Sequence, residues 1–262
     1  MPKFNANLSM MFQECEFLER FSKAQSAGFT GVEVLFPYDF EPDTIRNNLE
    51  QHALDLVLIN APPGNFDAGD RGLACVPTRT GEFQDSIDIA IRYARALNCR
   101  RLHCMAGLKP QNIPTEVAEE TFVHNIQFAA DQAISHGIDI MIEPINLRDM
   151  PNYFLNYSSQ ASDLIKRIDR QNVKLQYDIY HMQIMEGDLA HTIQSLLPMI
   201  GHMQLADTPG RHEPGTGEIN YSFLFDHIDR CGYQGWIGCE YRPKADTTSG
   251  LNWIQPYLNE AR

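Results

Sequence analysis

Strict alternation of short apolar runs with longer helical patterns is the feature that most constrains the fold of this chain. Eight runs are short and largely apolar, as strands are when both faces of a parallel sheet are covered. These predicted strands are Phe4–Leu8, Gly31–Leu35, Asp55–Ile59, Arg101–Met105, Ile138–Glu143, Val173–Asp178, Gly201–Leu205 and Gly235–Glu240. Between them, apolar residues recur with the spacing of helices that bury one face. The alternation predicts right-handed βαβ units around a parallel sheet.

The number of units decides how that sheet is closed. Eight strands and about eight helices in 262 residues predict the α/β class and a (β/α)8 TIM barrel, one domain spanning residues 1–262. A doubly wound open sheet is the competing architecture, and it would favour a glycine-rich phosphate turn after the first strand. Ser9, Met10 and Met11 follow that strand and include no glycine. We therefore expect the closed barrel.

Residues suited to helix ends support the same alternation. Gly28, Gly137 and Gly232 each follow a helical pattern and precede a strand, which is the place of a left-handed residue that ends a helix. Thr115 and Asp188 are expected to be the N-cap residues of helices.

The last four predicted strands share a chemical feature at their ends. Each ends, or nearly ends, in a side chain that can bind a metal through oxygen: Glu143, Asp178, Gln204 and Glu240. In a barrel, consecutive strand ends form one ring at the C-terminal face, where active sites lie. We therefore expect these four side chains to converge on one point.

The charge of this set predicts a cation. Three carboxylates at one point would repel each other, and at least one would take up a proton unless a divalent ion were present. Oxygen ligands suit Mg²⁺ or Mn²⁺ better than Zn²⁺, which prefers nitrogen and sulfur. The predicted cofactor is one divalent metal ion, Mg²⁺ or Mn²⁺.

Composition narrows the partners and the compartment. Lys and Arg number 21 against 34 Asp and Glu, a formal net charge of −13, which disfavours nucleic acids and anionic membranes. The sequence contains no run of about 18 apolar residues, so we expect no membrane span. Asn5 and Asn7 interrupt the apolar run that a signal peptide would need. The six cysteines form no C-x-x-C pair, which is typical of reduced thiols. We expect a cytoplasmic protein with a small-molecule substrate, and the sequence leaves its oligomeric state, homo-oligomer included, open.

Longer motifs are similar to those of the xylose-isomerase-like barrel superfamily, and within it the chain resembles the hydroxypyruvate isomerase family. The similarity covers essentially the full length. The stretches that carry it are Asn5–Met10, Phe36–Tyr38, Glu143–Asn146, Gln176–Gln183, Glu213–Tyr221 and Gly235–Tyr241.

The resemblance implies an activity and roles for the strand-end residues. It implies an aldose–ketose-type isomerase that interconverts hydroxypyruvate and 2-hydroxy-3-oxopropanoate (tartronate semialdehyde). Glu143, Asp178, Gln204 and Glu240 would be the metal ligands. Glu143 and Glu240 would also be the catalytic acid/base pair, which acts through an enediolate. A hydride shift between the two carbons is the alternative mechanism.

Four further residues are predicted to bind substrate. His181 matches a substrate-oxygen contact of related sugar epimerases, and orienting Asp178 is its alternative role. Arg211 lies near the place of a substrate-binding arginine in those relatives, with a spacing that differs by one residue. His103, near the end of the fourth strand, either contacts substrate or packs in the core. Lys244, like Arg211, could neutralise the substrate carboxylate.

Other functions remain as alternatives. A 2-oxo-tetronate isomerase, or another small-sugar isomerase or epimerase of the superfamily, would share the barrel. A DNA-repair endonuclease of this superfamily would need several zinc ions, many histidine ligands and a basic groove, and the net charge of −13 argues against it. A non-catalytic metal or sugar sensor is a third class, which metal-dependent turnover would exclude.

Overall fold

Parallel pairing connects all eight strands in sequence order and then joins the last to the first. The computed structural model describes residues 2–258 and contains a closed barrel with the strand order β1 to β8. The strands are β1 Lys3–Asn7, β2 Gly31–Val34, β3 Asp55–Asn60, β4 Arg101–His103, β5 Asp139–Ile142, β6 Val173–Asp178, β7 Ile200–Leu205 and β8 Trp236–Cys239. Closure comes from parallel pairing of β1 with β8. The predicted TIM barrel is confirmed, and the open sheet is excluded.

The strand bounds differ from the predicted ones by one or two residues at most ends. The fourth strand stops at His103, two residues before its predicted end, and Glu143 and Glu240 follow β5 and β8 directly. Ladder pairing ends at these positions because the chain turns into the loops above the barrel. The two glutamates therefore stand on the first loop residues rather than within the strands.

Helices follow the strands around the outside of the barrel. Their bounds are α1 Glu19–Ser26, α2 Pro42–Gln51, α3 Thr80–Ala96, α4 Thr115–Ala133, α5 Ser158–Ile168, α6 Ile179–Met185, α7 Leu189–Leu196, α8 Tyr221–Arg230 and α9 Gln255–Leu258. Two helices, α6 and α7, occupy the connection between β6 and β7. Among residues 2–258, no helix has the length and apolar character that crossing a membrane requires.

The predicted helix ends are mostly confirmed. Gly28, Gly137 and Gly232 have φ values of 96°, 65° and 83°, in the left-handed region that glycine tolerates. The N-cap prediction for Thr115 is wrong, because Thr115 is the first residue of α4 and Pro114 holds the cap position. Asp188 stands at the N-cap of α7 as predicted, although its side chain makes no capping hydrogen bond there.

Polar side chains, rather than aliphatic ones, fill the upper interior of the barrel. Glu33 of β2 is hydrogen-bonded to His202 of β7, although β1 and β8 separate those two strands around the barrel. Such a contact is possible only through the interior. Asn5 of β1 and Gln204 of β7 also contact Glu33. This polar layer lies beneath the ends of the strands and supports the site described next.

Candidate metal and active site

Four buried side chains meet at the C-terminal face of the barrel. Glu143, Asp178 and Glu240 come from the ends of β5, β6 and β8, and His181 comes from the first turn of α6. One ligand atom from each of these four residues lies within 4.8 Å of the others, and all four residues are buried. The structure therefore brings three of the four predicted metal ligands together.

The orientation of the Asp178 side chain follows from its place at the junction of a strand and a helix. It is the last residue of β6 and the N-cap of α6. Its Oδ1 accepts hydrogen bonds from the backbone N–H groups of Tyr180 and His181, at 2.7 and 3.4 Å. Its Oδ2 is buried without a hydrogen-bond partner. One oxygen is thus fixed by the helix, and the other is left to bind a cation.

The ring of His181 is oriented from behind by Asn146. The backbone N–H of Asn146 lies 3.4 Å from His181 Nδ1, and the Asn146 side-chain nitrogen lies 2.6 Å from the same atom. Because a backbone N–H can only donate, Nδ1 accepts this hydrogen bond. Nε2 is 3.5 Å from Asp178 Oδ2, 3.8 Å from Glu143 Oε1 and 3.5 Å from Nη2 of Arg211. Asn146 thus turns Nε2 towards the carboxylates, within the cluster that could hold a metal ion.

Gln204 lies beside Asp178 in the sheet, because these two residues are paired in the β6–β7 register. Its Nε2 donates to Glu33 Oε1 at 2.9 Å, and its Oε1 accepts from Gln176 Nε2 at 2.7 Å. An amide oxygen has two lone pairs, so Oε1 can accept from Gln176 and still bind a cation. The fourth predicted ligand is thus fully buried and next to the cluster.

Burial and mutual repulsion raise the pKa values of the three carboxyls. Burial raises the pKa of Glu143 well above its usual range, and the neighbouring Glu240 and Asp178 raise it further. Burial raises the pKa of Glu240 to about 8, although Arg211 opposes the shift. The pKa of Asp178 rises to about 6 for the same reason, again against the effect of Arg211. Without a cation, the site therefore holds protons at neutral pH.

Arg211 places a positive charge beside the carboxylates. Its Nη2 donates to Glu240 Oε2 at 2.8 Å and lies 3.9 Å from Asp178 Oδ2. The guanidinium also stacks over the ring of Tyr180, 5.1 Å from its centroid. Its side chain is 21% exposed, so it faces the open space above the carboxylates. The predicted substrate-binding arginine thus lies in the site, paired with a candidate catalytic glutamate.

The other two predicted substrate contacts are placed differently. His103 is buried, its Nε2 is 3.6 Å from Glu143 Oε2, and neither ring nitrogen has a hydrogen-bond partner. Burial lowers its pKa to about 3, so the ring is neutral. Lys244 is exposed, and its backbone N–H donates to a carboxylate oxygen of Glu213. The structure brings His103 into the ring of site residues and leaves Lys244 outside it.

A cavity of about 950 Å³ opens above the carboxylates. Its lining includes Glu143, His181, Arg211, Glu240 and His103. The other residues that line the cavity were not predicted from the sequence. They are Ser9, Met10, Gln13, Leu35, Phe36, Asn60, Phe66, Arg71, Met105, Ile145, Asp149, Met150, Tyr180, Pro209, Gly210 and Arg242. Most of these stand on loops after strands, where the sequence pattern carries no periodicity. The cavity can admit a small organic acid to the carboxylates.

Comparison with known proteins agrees with this geometry. The family model for the xylose isomerase-like TIM barrel matches residues 21–257, and the chain belongs to this family. A hydroxypyruvate isomerase of Escherichia coli (strain K12) is 47% identical over 257 residues, which cover 98% of this chain and 100% of that protein. A 2-oxo-tetronate isomerase of Cupriavidus necator is 46% identical over 258 residues, with 98% and 99% covered. The resemblance found in the sequence is confirmed, and the chain is an isomerase of this family.

Solved structures show the same fold. A Brucella melitensis protein described as an AP endonuclease of family 2 superposes with a TM-score of 0.96 at 50% identity, covering 98% of this chain and 99% of that one. A 3-keto-D-glucoside 4-epimerase of E. coli superposes with a TM-score of 0.81 at 19% identity, covering 98% and 99%. The second likeness concerns the fold alone.

The raised carboxyl pKa values predict how metal binding depends on pH. A divalent ion at this cluster would bind the charged carboxylates, so it would have to displace the protons held by Asp178, with a pKa of about 6, and Glu240, with a pKa of about 8. Affinity for Mn²⁺ should therefore rise as pH increases from 6 to 8. Isothermal titration with Mn²⁺ in buffers of different ionisation enthalpy would measure both the affinity and the protons released. Constant affinity across this range, with no proton release, would contradict the prediction.

Proposed function

We propose that this chain is a divalent-metal-dependent isomerase that interconverts hydroxypyruvate and 2-hydroxy-3-oxopropanoate. The observation that carries the proposal is the pair of buried glutamates, Glu143 and Glu240, held within one cluster at the floor of an open cavity. The 47%-identical hydroxypyruvate isomerase supports the choice of substrate. The alternative is the acid acted on by a 2-oxo-tetronate isomerase, since a relative of that name is 46% identical.

The residues present fit a divalent cation. Glu143 Oε1 and Asp178 Oδ2 are buried oxygens without hydrogen-bond partners, and such oxygens are costly unless a cation or a proton satisfies them. Glu143, Asp178, Gln204 and Glu240 would hold the ion, and their oxygen-only ligand set favours Mg²⁺ or Mn²⁺. When bound, the ion supplies Lewis acidity to the carbonyl and hydroxyl oxygens of the substrate.

In the proposed reaction, the two glutamates exchange protons with adjacent carbons of the substrate. One removes the proton from the hydroxyl-bearing carbon, and the other returns a proton to the neighbouring carbon. The proton of the hydroxyl oxygen is lost, and the former carbonyl oxygen gains one, so that the carbonyl and hydroxyl groups exchange places. They come from β5 and β8, with β6 and β7 between them, and can therefore address a planar enediolate from different sides.

Substrate orientation is assigned to the groups that face the cavity. His181 Nε2 faces the site and can form a hydrogen bond with a substrate oxygen, and neutral His103 has free ring nitrogens for another. Arg211 offers guanidinium N–H groups to the substrate carboxylate, beside its bond to Glu240. Lys244 was the second candidate for that role, and its exposed position makes Arg211 the better choice.

The same proposal disfavours nuclease activity, despite the description of the Brucella structure. DNA carries one negative charge per phosphate and is repelled by a chain whose formal net charge is −13. The carboxylate cluster in residues 2–258 includes a single histidine, which suits oxygen-preferring ions rather than several zinc ions.

We also propose that the enzyme works in the cytoplasm. All six cysteines are free thiols, and four of them are buried. Reduced cysteines are usual in compartments where glutathione and thioredoxin keep thiols reduced.

Removing either carboxylate charge should abolish catalysis without unfolding the protein. We expect Glu143→Gln and Glu240→Gln to lower kcat/KM for hydroxypyruvate by about 10²- to 10⁴-fold, because each loses a proton-transferring group. A chelator should inactivate the wild-type enzyme, and Mn²⁺ should restore it. Turnover would be followed by loss of hydroxypyruvate, and circular dichroism would check the fold. Exposed Glu116 gives the control, since Glu116→Gln should retain full activity. Near-wild-type rates in either site variant would refute its assigned role.

Solvent isotope incorporation separates proton transfer from a hydride shift. A carboxylic acid that exchanges its proton with water delivers solvent deuterium to carbon, whereas a hydride moves directly between the two carbons. We expect deuterium on the product carbon when the reaction runs in D2O, as measured by mass spectrometry. Product that contains no deuterium, even when turnover is slowed, would support the hydride shift.

Relative rates on the two candidate acids test the choice of substrate. One additional carbon in a fitted pocket changes transition-state binding by about 1–3 kcal/mol, or about 10–200-fold in kcat/KM. We expect kcat/KM for hydroxypyruvate to exceed that for 2-oxo-tetronate by at least about tenfold. A preference in the opposite direction would make the four-carbon acid the substrate and leave the proton-transfer mechanism unchanged.

A further inference from the structure

A single carboxylate lies at the centre of the polar layer beneath the site. Glu33 of β2 is 1% exposed and accepts four hydrogen bonds, two on each oxygen. Asn5 Nδ2 and His202 Nε2 lie 2.8 and 2.9 Å from its Oε2. Asn7 Nδ2 and Gln204 Nε2 each lie 2.9 Å from its Oε1. Its partners come from β1 and β7, so this carboxylate of β2 connects strands that are not neighbours in the sheet, with β8 lying between β1 and β7.

Two of these partners lead directly to the candidate metal ligands. Gln204 is itself a candidate ligand, and its amide could present either oxygen or nitrogen to the site. Since Glu33 can only accept, it binds the nitrogen and turns Gln204 Oε1 to the other side. Asn7 Nδ2 is shared between Glu33 and Oε1 of Glu240, 3.2 Å away. Both contacts fix the orientation of an atom proposed to bind the metal.

The barrel leaves space specifically for this carboxylate. Gly238 of β8 lies opposite Gln204 in the β7–β8 register. A Cβ atom at Gly238 would lie 2.3 Å from Glu33 Oε2 and 2.6 Å from Oε1, closer than any real contact. A side chain at this position would therefore displace the Glu33 carboxylate. The interior accommodates a buried charge where a small apolar side chain would otherwise complete the packing.

We propose that Glu33 is a positioning residue of the metal site, which holds the Gln204 amide and, through Asn7, the Glu240 carboxylate in the orientation that binds a cation. It does not contact the substrate. The inference rests on the proposed metal-dependent function and adds a residue on which metal affinity depends. Partners that orient metal ligands from behind commonly change metal affinity or activity by about 10–100-fold when they are replaced.

The test is the Mn²⁺ dissociation constant of the metal-free protein, measured by the electron paramagnetic resonance signal of free Mn²⁺. In Glu33→Gln, an NH2 group replaces one acceptor and faces two donors, so we expect the dissociation constant to rise about 10–100-fold. Glu33→Asp keeps the charge, withdraws it from Gln204 and Asn7, and should also weaken binding if Glu33→Gln does not fold. An unchanged dissociation constant in a folded Glu33 variant would overturn the proposal.

The control is a carboxylate with a purely structural pattern of bonds. Both oxygens of Glu186 accept hydrogen bonds from Ser158, one from its backbone N–H and one from its hydroxyl, each at 2.7 Å. Glu186→Gln should therefore leave the Mn²⁺ dissociation constant unchanged even if it lowers the melting temperature. Equal weakening in Glu186→Gln and Glu33→Gln would show a general loss of stability and overturn the positioning role.

A double-mutant cycle tests the route through Gln204. If Glu33 acts by orienting that amide, replacing Glu33 matters less once Gln204→Ala has removed it. The double variant should then bind Mn²⁺ more tightly than the product of the two single effects predicts. If the factor by which the double variant raises the Mn²⁺ dissociation constant equals the product of the two single factors, the Gln204 part of the proposal is overturned.

The outcomes also separate this inference from the proposed function. Absence of Mn²⁺ binding by the wild-type protein would overturn both. If the wild-type protein binds Mn²⁺ but does not convert hydroxypyruvate, weakened binding in Glu33→Gln still supports the positioning role, and only the substrate assignment fails.

Discussion

Repulsion among Glu143, Asp178 and Glu240 is the constraint on which the rest of the site depends. Three carboxylates with ligand atoms within 4.8 Å of each other, all buried, cannot remain charged together without a positive partner. Arg211 offsets part of this charge from above, through its 2.8 Å contact with Glu240. Bound protons neutralise a further part of this negative charge, as the raised pKa values of Glu143 and Glu240 indicate. A divalent cation would replace those protons, and the stored repulsion would become metal affinity.

The polar layer below this ring is a second consequence of the same requirement. Inward positions of a TIM barrel are usually filled by branched apolar side chains, which pack well and need no partners. Here Glu33 occupies one of these inward positions. Gly238 leaves space for its carboxylate, because a Cβ atom at Gly238 would overlap the carboxylate oxygens. Burial opposes the charge on Glu33, yet the hydrogen bonds and charge of His202, with the amide of Gln204, lower its pKa below the usual range. Stability from apolar packing is thereby exchanged for fixed orientation of the residues above.

The sequence predicts the fold and the acidic ring well because both follow from local pattern. Strand periodicity places the last residues of consecutive strands side by side, so Glu143, Asp178 and Glu240 could be found without coordinates. Glu33 could not, because its contact with His202 spans 169 residues and crosses the barrel interior. The Asn5-x-Asn7 alternation in a buried strand was its one local signal. Lys244 lies outside the residues that line the cavity, and the conformation of its loop has no periodicity from which this position could be predicted.

Near-equal identity to two differently named isomerases, 47% and 46%, fits a site whose proposed chemistry and whose walls lie on different parts of the fold. Moving a carbonyl between adjacent carbons of a three-carbon or a four-carbon acid would use the same proposed acids and cation, which belong to the strand ends. An additional carbon would instead meet the walls of the cavity, which include Phe66 and Arg71 of the loop after β3 and Met150 of the loop after β5. Glu33 receives its hydrogen bonds from β1 and β7, so the proposed metal ligands are supported by strands rather than by these loops.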